Sequence, residues 1–290
     1  MKKAIVIDGY AIIYRSFYAT YNQLAYFHDH DTLPTNAIRT VMMTVLNILS
    51  TFDASYMLIA LDSKEKTKRK EQYDEYKGTR SPMPDDLIRQ LPYIEQFFNL
   101  LNVKVMRIPG YEADDLIGSF TTLMSKNNIN STIFSGDNDL MQLIDVNTNM
   151  SLLSSSSKGN NNLINLQNFD QYFHNLRPKQ IVDFKALVGD TSDNYPGVKG
   201  IGPKTAVNLI RKYGSLDEIY LHLDELSLGV KTKLSNDKNS AYFCYGLALI
   251  ETSLFNDKEP DEFIKKELDK EGIKKLADSL YINLNHQLLK

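Results

Sequence analysis

A chain of 290 residues can bury a sizeable core, and its size suits one large domain or two unequal ones. The single cysteine, Cys244, excludes an internal disulfide and fits a reducing cytoplasm. A net charge of −3, from 33 basic and 36 acidic residues, excludes a uniformly basic nucleic-acid binder, so a polyanionic partner must be met by local patches.

Lys2 and Lys3 precede only four apolar residues before Asp8, too short a run for a signal-peptide core. Lys3 to Ile7 reads instead as a buried strand that closes on Asp8-Gly9, with a helix from Ala11 onward. Residues 23–35 read as a loop. Its His28-Asp29-His30-Asp31 run has metal-binding side chains but no rigid element to hold them, and such runs are usually solvated. From Asn36 to Phe52, Val41, Val45, Leu46, Ile48 and Leu49 recur at helical spacing and predict a core-packed helix. Tyr56 to Leu61 is a second strand, again closing on an acid, Asp62. Apolar runs of this length cannot span a bilayer.

Residues 63–84 are charged and lack an apolar face. Lys64, Lys66, Lys68, Arg69, Lys70, Lys77 and Arg80 are interleaved with Tyr73 and Tyr76, which supplies cations for phosphates and rings for bases. An ordinary solvated loop is the plainer interpretation. Pro84, Asp85 and Asp86 open a helix, and Pro92 predicts a kink or a break inside it.

Val103 to Ile108 forms a strand-like run, Pro109-Gly110 a turn, and Leu116, Ile117 and Phe120 the start of a helical pattern. Between them stand Glu112, Asp114 and Asp115. One or two acids favour a helix N-terminus through the dipole, for about 0.3–1 kcal/mol. Three repel one another beyond that need, which a divalent cation would relieve. On an ideal helix Glu112 and Asp115 share a face and Asp114 points elsewhere, so their ligand geometry stays open. Ser131 to Phe134 is another strand, followed by Asp137 and Asp139, and Met150 to Leu153 one more. Ser154 to Asn162 is low-complexity and reads as a mobile loop. From Arg177 helices take over, including Pro178 to Val188 and Pro203 to Tyr213.

Strands alternating with helices predict an α/β fold with a largely parallel sheet. In such a sheet the strand ends share one edge, so Asp8, Asp62, Glu112, Asp114, Asp115, Asp137 and Asp139 converge there. Asp190 and Asp193 add two more at the i, i+3 spacing of a helical face. Nine acids without adjacent His or Cys suit Mg²⁺ or Mn²⁺ and not zinc. Two such ions, about 3.5–4 Å apart, support phosphodiester hydrolysis by in-line displacement. Gly197 to Ala206 reads as a glycine-rich hairpin between two helices, with Lys199 and Lys204 and no acid from Gly197 to Tyr213. That is a helix-hairpin-helix pattern, in which backbone N–H groups approach phosphates.

Taken together and in order, these stretches resemble the 5′–3′ exonuclease domain of bacterial DNA polymerase I, within the flap endonuclease family. The resemblance spans nearly the whole chain and rests on several segments. They include Ile7-Asp8-Gly9 through Arg15-Ser16-Phe17, Ala60-Leu61-Asp62, Arg69-Lys70-Glu71-Gln72-Tyr73 and Tyr76-Lys77-Gly78-Thr79-Arg80. The later ones are Gly110 to Asp115, Gly136 to Leu140, Gly189 to Asn194 and Pro196 to Gly202.

The resemblance implies a Rossmann-like, PIN-like nuclease core over 1–175 with a helical arch near 63–101. A helix-hairpin-helix subdomain with C-terminal helices is implied over 176–290. It further implies that Asp8, Asp62, Glu112 and Asp114 hold a first Mg²⁺, and that Asp115, Asp137, Asp139, Asp190 and Asp193 hold or orient a second. Lys77, Arg80 and Arg69 would meet phosphate and Tyr76 would stack on a base. Arg15, Lys199, Gly200, Gly202, Lys204 and Thr205 would contact DNA, and K⁺ could bind carbonyls from Val198 to Ile201. Asn138 departs from the pattern, since many relatives carry Lys there.

The chain ends where polymerase relatives continue, so a stand-alone, monomeric enzyme coupled to a separate DNA polymerase is expected. Its expected substrates are 5′ flaps, nicks and RNA primers, cut in the cytoplasm and away from membranes. The alternatives are a PIN-type ribonuclease, which would not need the hairpin, and a catalytically silent binder of DNA junctions.

Overall fold

Strands that are apolar at every position require a sheet covered on both faces. The computed structural model has that arrangement over the residues it describes, 2–22, 33–153 and 162–284. Strand β1 (Lys3–Asp8) runs into helix α1 (Gly9–Ala19), and α2 (Asn36–Thr51) leads to β2 (Tyr56–Ala60). Two short helices, α3 (Lys68–Gln72) and α4 (Asp85–Ile88), precede α5 (Leu91–Leu100) and β3 (Lys104–Met106). Helix α6 (Ala113–Lys126) is followed by β4 (Asn130–Ser135), β5 (Thr148–Leu152) and β6 (Asn162–Ile164). The order across the sheet is β3-β2-β1-β4-β5-β6, with the first five parallel and β6 antiparallel to β5.

The two-residue period of β1 sorts its side chains between two cores. Ile5 and Ile7 pack with α1, α2 and α5, whereas Ala4 and Val6 pack with α6. Pro92 marks a break, not a kink, and lies in the first turn of α5. At that break the buried Gln90 accepts from the N–H groups of Ala37 and Ile38 (2.9 and 3.2 Å) and donates to Asn36 Oδ1 (3.0 Å). It thereby satisfies the first turn of α2, which has no side-chain cap of its own. His28 to Asp31, and all of the Ser154–Asn162 run but its last residue, lie outside the described residues.

Helices α7 (Gln180–Val188), α8 (Pro203–Tyr213), α9 (Leu216–Leu221), α10 (Leu228–Asn236) and α11 (Lys238–Ala248) enclose a separate core around Leu187, Ile201, Ile210, Ile219 and Leu234. The expected boundaries change in two places. Helix α5 belongs to the first core, with Ile94, Phe97 and Phe98 fully buried, so an arch cannot extend to residue 101. After α11 the chain returns to the α/β layer and leaves the helical unit. Ile250, Phe255 and Phe263 pack with α6, Phe263 standing edge-on to Phe120 at 5.2 Å. Helix α12 (Lys270–Ser279) then packs Ile273, Leu276 and Ala277 into the core that holds α5. Backbone bonds from Lys265 N to Ser55 O and from Asp269 N to Leu100 O, both 2.9 Å, secure the return.

Gly118 is where α6 meets this returning segment. A Cβ there would stand 2.7 Å from Ile250 Cγ2 and 3.0 Å from Glu251 O. Gly118→Ala is therefore expected to cost about 1–3 kcal/mol by overpacking, despite the better helix propensity of alanine. Denaturant unfolding checks this; a stabilised variant would mean that the returning segment yields without cost.

Candidate active site

Because β1, β2, β3 and β4 run parallel, the residues that leave them gather at one edge, and the strand order reverses between β1 and β4. Asp8 ends β1 at that point. Its Oδ1 caps α1 through Ala11 N (3.0 Å), and its Oδ2 accepts from Ser135 Oγ at the end of β4 (2.6 Å). Burial pushes its carboxyl up to about 6 against these two hydrogen bonds, and Asp62 and Asp137 add to the rise. Asp62 accepts from Ala113 N at the start of α6 (2.8 Å). Asp137 caps the 3₁₀ turn Asn138–Leu143 through Asp139 N (2.9 Å). Asp114 is held well above the ordinary carboxylate range, by burial first and then by Asp137, Asp8 and Glu112, with Lys77 opposing. Asp8, Asp62, Glu112, Asp114 and Asp137 therefore act on one another across a single space.

Asp115 faces elsewhere. It forms a capping box with Glu112, accepting from Glu112 N (3.1 Å), and also accepts from Glu251 N (3.0 Å). Both its oxygens receive Arg69, at 2.8 Å each. Arg69 also donates to Leu247 O (2.9 Å) and Leu249 O (2.8 Å) and reaches Glu112 at 3.3 Å. This guanidinium has only 12% of its side chain exposed and no donor aimed at solvent for a phosphate. Arg69 thus occupies both oxygens of Asp115 and clasps α6 to the end of α11, which leaves Asp115 placed to orient its neighbours and not open to a ligand of its own in this arrangement.

Tyr76 departs from expectation in the same way. It is 3% exposed, packed with Val182, Tyr195 and Leu247, and its hydroxyl contacts Glu112 (3.1 Å) and Asp193 (2.9 Å). A ring so enclosed cannot stack on a base. Asp193 is also bonded to Arg80 (2.7 Å), and its backbone carbonyl accepts from Lys77 N (2.9 Å). Lys77 stands at φ 53, a costly left-handed conformation for a side chain with a Cβ, and this places its ammonium 3.0 Å from Glu112.

Asp190 and Asp193 do not share a helical face, because Gly189 (φ 80) ends α7 and residues 190–195 fold into a turn. Asp190 accepts from Ser192 N (2.7 Å) and Asp193 N (3.1 Å), and its other oxygen pairs with Lys185 on α7. Lys185 pairs with Asp139 as well. Burial raises Asp139 to about 6, with Asp137 adding to the rise and Lys185 opposing it. Asp190 is held below the usual range, since Lys185 and Ser192 outweigh its burial.

The all-oxygen donors and the repulsion concentrated on Asp114 fit hard divalent cations. Among the described residues, however, no three His, Cys, Asp or Glu side chains are drawn together as a finished cage. Lys77, Arg69 and Lys185 stand among the acids instead. Three participants were not singled out from sequence: Ser135, Lys185 and Tyr195. Each acts through a neighbour distant in the chain, and none belongs to a charged run.

The hairpin between α7 and α8 is exposed at Lys199, Gly200, Gly202 and Lys204, half-buried at Thr205, and anchored by buried Val198 and Ile201. Gly200 takes φ 81. Two of the carbonyls expected to take K⁺ already have donors: Gly200 O accepts from Lys233 Nζ (3.0 Å) and Val198 O from Ile201 N (3.1 Å). Arg15 is half-buried on α1.

Two family models match the chain. The 5′–3′ exonuclease N-terminal resolvase-like domain covers residues 3–174, and the 5′–3′ exonuclease C-terminal SAM fold covers 176–271. The 5′–3′ exonuclease of Mycoplasma pneumoniae is 38% identical over 278 residues, or 96% of this chain and 95% of that one. DNA polymerase I of Caldicellulosiruptor bescii is 36% identical over 272 residues, which are 93% of this chain and 31% of the polymerase. In fold, the chain matches a bacteriophage T5 flap endonuclease pseudo-enzyme–product complex with DNA and metal ions. The TM-score is 0.69 at 19% identity, over 97% of this chain and all of that one.

Replacing Arg69 by Met would leave Asp115 buried without its cation and two carbonyls without a donor. A loss of about 3–5 kcal/mol in unfolding free energy is expected, and Arg69→Lys should recover only part of it. An Arg69→Met variant as stable as the parent would remove the clasp.

Proposed function

The chain belongs to the 5′–3′ exonuclease family, and from that footing we propose that it is a structure-specific nuclease dependent on divalent metal. It cuts DNA where a 5′ single strand meets duplex. The reading rests above all on the mutual repulsion of Asp8, Asp62, Glu112, Asp114 and Asp137 beyond the ends of parallel strands. Its substrates are 5′ flaps, nicks and RNA primers left by replication and repair. It works as a monomer alongside a separate polymerase in the cytoplasm, and among the described residues no helix is long and apolar enough to cross a membrane.

Asp8, Asp62, Glu112 and Asp114 would hold one Mg²⁺, with Mn²⁺ as a substitute, and Asp137, Asp139 and Asp190 would serve a second. When bound, such ions acidify water and neutralise charge on the reacting phosphate. The protein's own groups do the placing. Lys199, Lys204 and the exposed N–H groups around Gly200 and Gly202 grip the duplex backbone, with Thr205 beside them and Arg15 near the strand ends. Lys77, on the segment stitched to Asp193, presents its ammonium at the acids and can exchange Glu112 for a phosphate oxygen. Arg80, half-exposed, stands beside it as a second cation. Water adds at phosphorus, the bond to the 3′ oxygen breaks, and that oxygen takes a proton, leaving 5′-phosphate and 3′-hydroxyl ends. Residues 63–84, not the longer span first expected, serve as the arch. A K⁺ at the hairpin would share Gly200 O with Lys233, which already donates to it. A PIN-type ribonuclease would leave the hairpin without a task.

A 5′-flap duplex incubated with Mg²⁺ tests the assignment. Cleavage near the junction is expected from the parent, with a loss of about a hundredfold or more in Asp137→Ala; a parent that leaves the flap intact would end the proposal. Lys77→Ala is expected to slow single-turnover cleavage by about 10²–10³-fold while duplex affinity stays close to the parent's. Equal losses in rate and affinity would assign Lys77 to binding alone.

A further inference from the structure

Lys185 lies where the outer carboxylates meet. Its ammonium pairs with Asp139 and Asp190 at once, and only 12% of its side chain is exposed. Asp139 comes from the turn after β4 and Asp190 from the loop after α7, so this cation joins the α/β layer to the helical unit. All three line a cavity of about 790 Å³ that is also walled by Asp137 and Tyr195.

Tyr195 is an independent sign that the place is unfinished. It is 4% exposed and its hydroxyl has no hydrogen-bond partner among the described residues, although Asp139, Asp190 and Asp193 all act on the phenol. Buried hydroxyls are rarely left so, and an ion with its water would supply the missing partner.

We propose that Lys185 is a built-in competitor for the second cation seat assigned above to Asp139 and Asp190, acting as their counter-ion when no divalent ion is bound. Occupying the seat requires Lys185 to release both acids, with the Tyr195 hydroxyl then bonding to water or carboxylate of the filled seat. This rests on the metal-dependent reading above and adds the residue that sets how much divalent cation the enzyme requires. A lysine wedged between two acids stabilises the empty state, so it must weaken the ion that competes for them.

The test is a calorimetric titration of the full chain with Mn²⁺, without DNA, together with melting curves at zero and saturating Mn²⁺. Lys185→Met keeps the apolar stem and removes the charge. Its weaker binding phase is expected to tighten by at least about tenfold, which is about 1.4 kcal/mol. The metal-free variant should melt below the parent, and the Mn²⁺-saturated variant at or above it. Lys185→Arg, which keeps the charge, should retain the weak phase of the parent. A weak phase unchanged or lost in Lys185→Met, or an equal fall in melting temperature with and without Mn²⁺, overturns the proposal. Lys185→Gln carries the same measurements if the methionine variant does not fold. A parent that binds no Mn²⁺ at all overturns instead the metal-dependent reading on which this rests.

Discussion

Like charges pressed together at one sheet edge dictate how the rest of this molecule is built. A parallel sheet brings the ends of β1, β2, β3 and β4 to the same side, and each of those ends carries acid. Burial there raises Asp8, Asp139 and Asp114, so the fold keeps these groups only by compensating them. Part of the compensation is local: Asp8, Asp62 and Asp137 each accept a backbone N–H at the first turn of a helix. The remainder comes from Lys77, Arg69, Arg80 and Lys185.

These cations also tie separate parts of the chain together. Arg69 links α3 to α6 and to the carbonyls that end α11, and Lys185 links α7 to the turn after β4. Tyr76, Lys77 and Arg80 join the segment between α3 and α4 to the loop after α7. The helical unit is thus attached to the α/β layer in part through the acid site, together with Ile181 of α7 buried in the core around α6 and the small apolar cluster of Val182, Tyr195, Cys244 and Leu247. Beyond α11, Phe255, Phe263 and α12 return to the first layer and hold the unit from its other end. A change in what neutralises the acids therefore bears on how the two layers sit against each other.

The modest net charge follows from the same division of labour. Acids collect where cations are to be held, and bases collect on the hairpin and on the segment after β2, where phosphates would pass. The two populations nearly cancel in the total, and Arg69, Lys77 and Arg80 of that segment meet the acids of the site directly.

Periodicity and the alternation of strands with helices determined β1 to β5, the helices α2, α6 and α8, and the largely parallel sheet, but not the antiparallel β6, because a buried strand and an amphipathic helix each demand a pattern that short-range sequence displays. The convergence of Asp8, Asp62, Glu112 and Asp137 was legible for the same reason: it depends on strand direction and not on side-chain detail. What each acid faces was decided only by the tertiary structure. Asp115 turns to Arg69, Tyr76 is buried under the helical unit, Asp193 pairs with Arg80 and Lys185 bridges two distant acids. The return of residues 250–284 to the first layer was equally hidden. Charge pairing and interlayer packing depend on which distant surfaces meet, and local sequence carries no record of the partner across the gap.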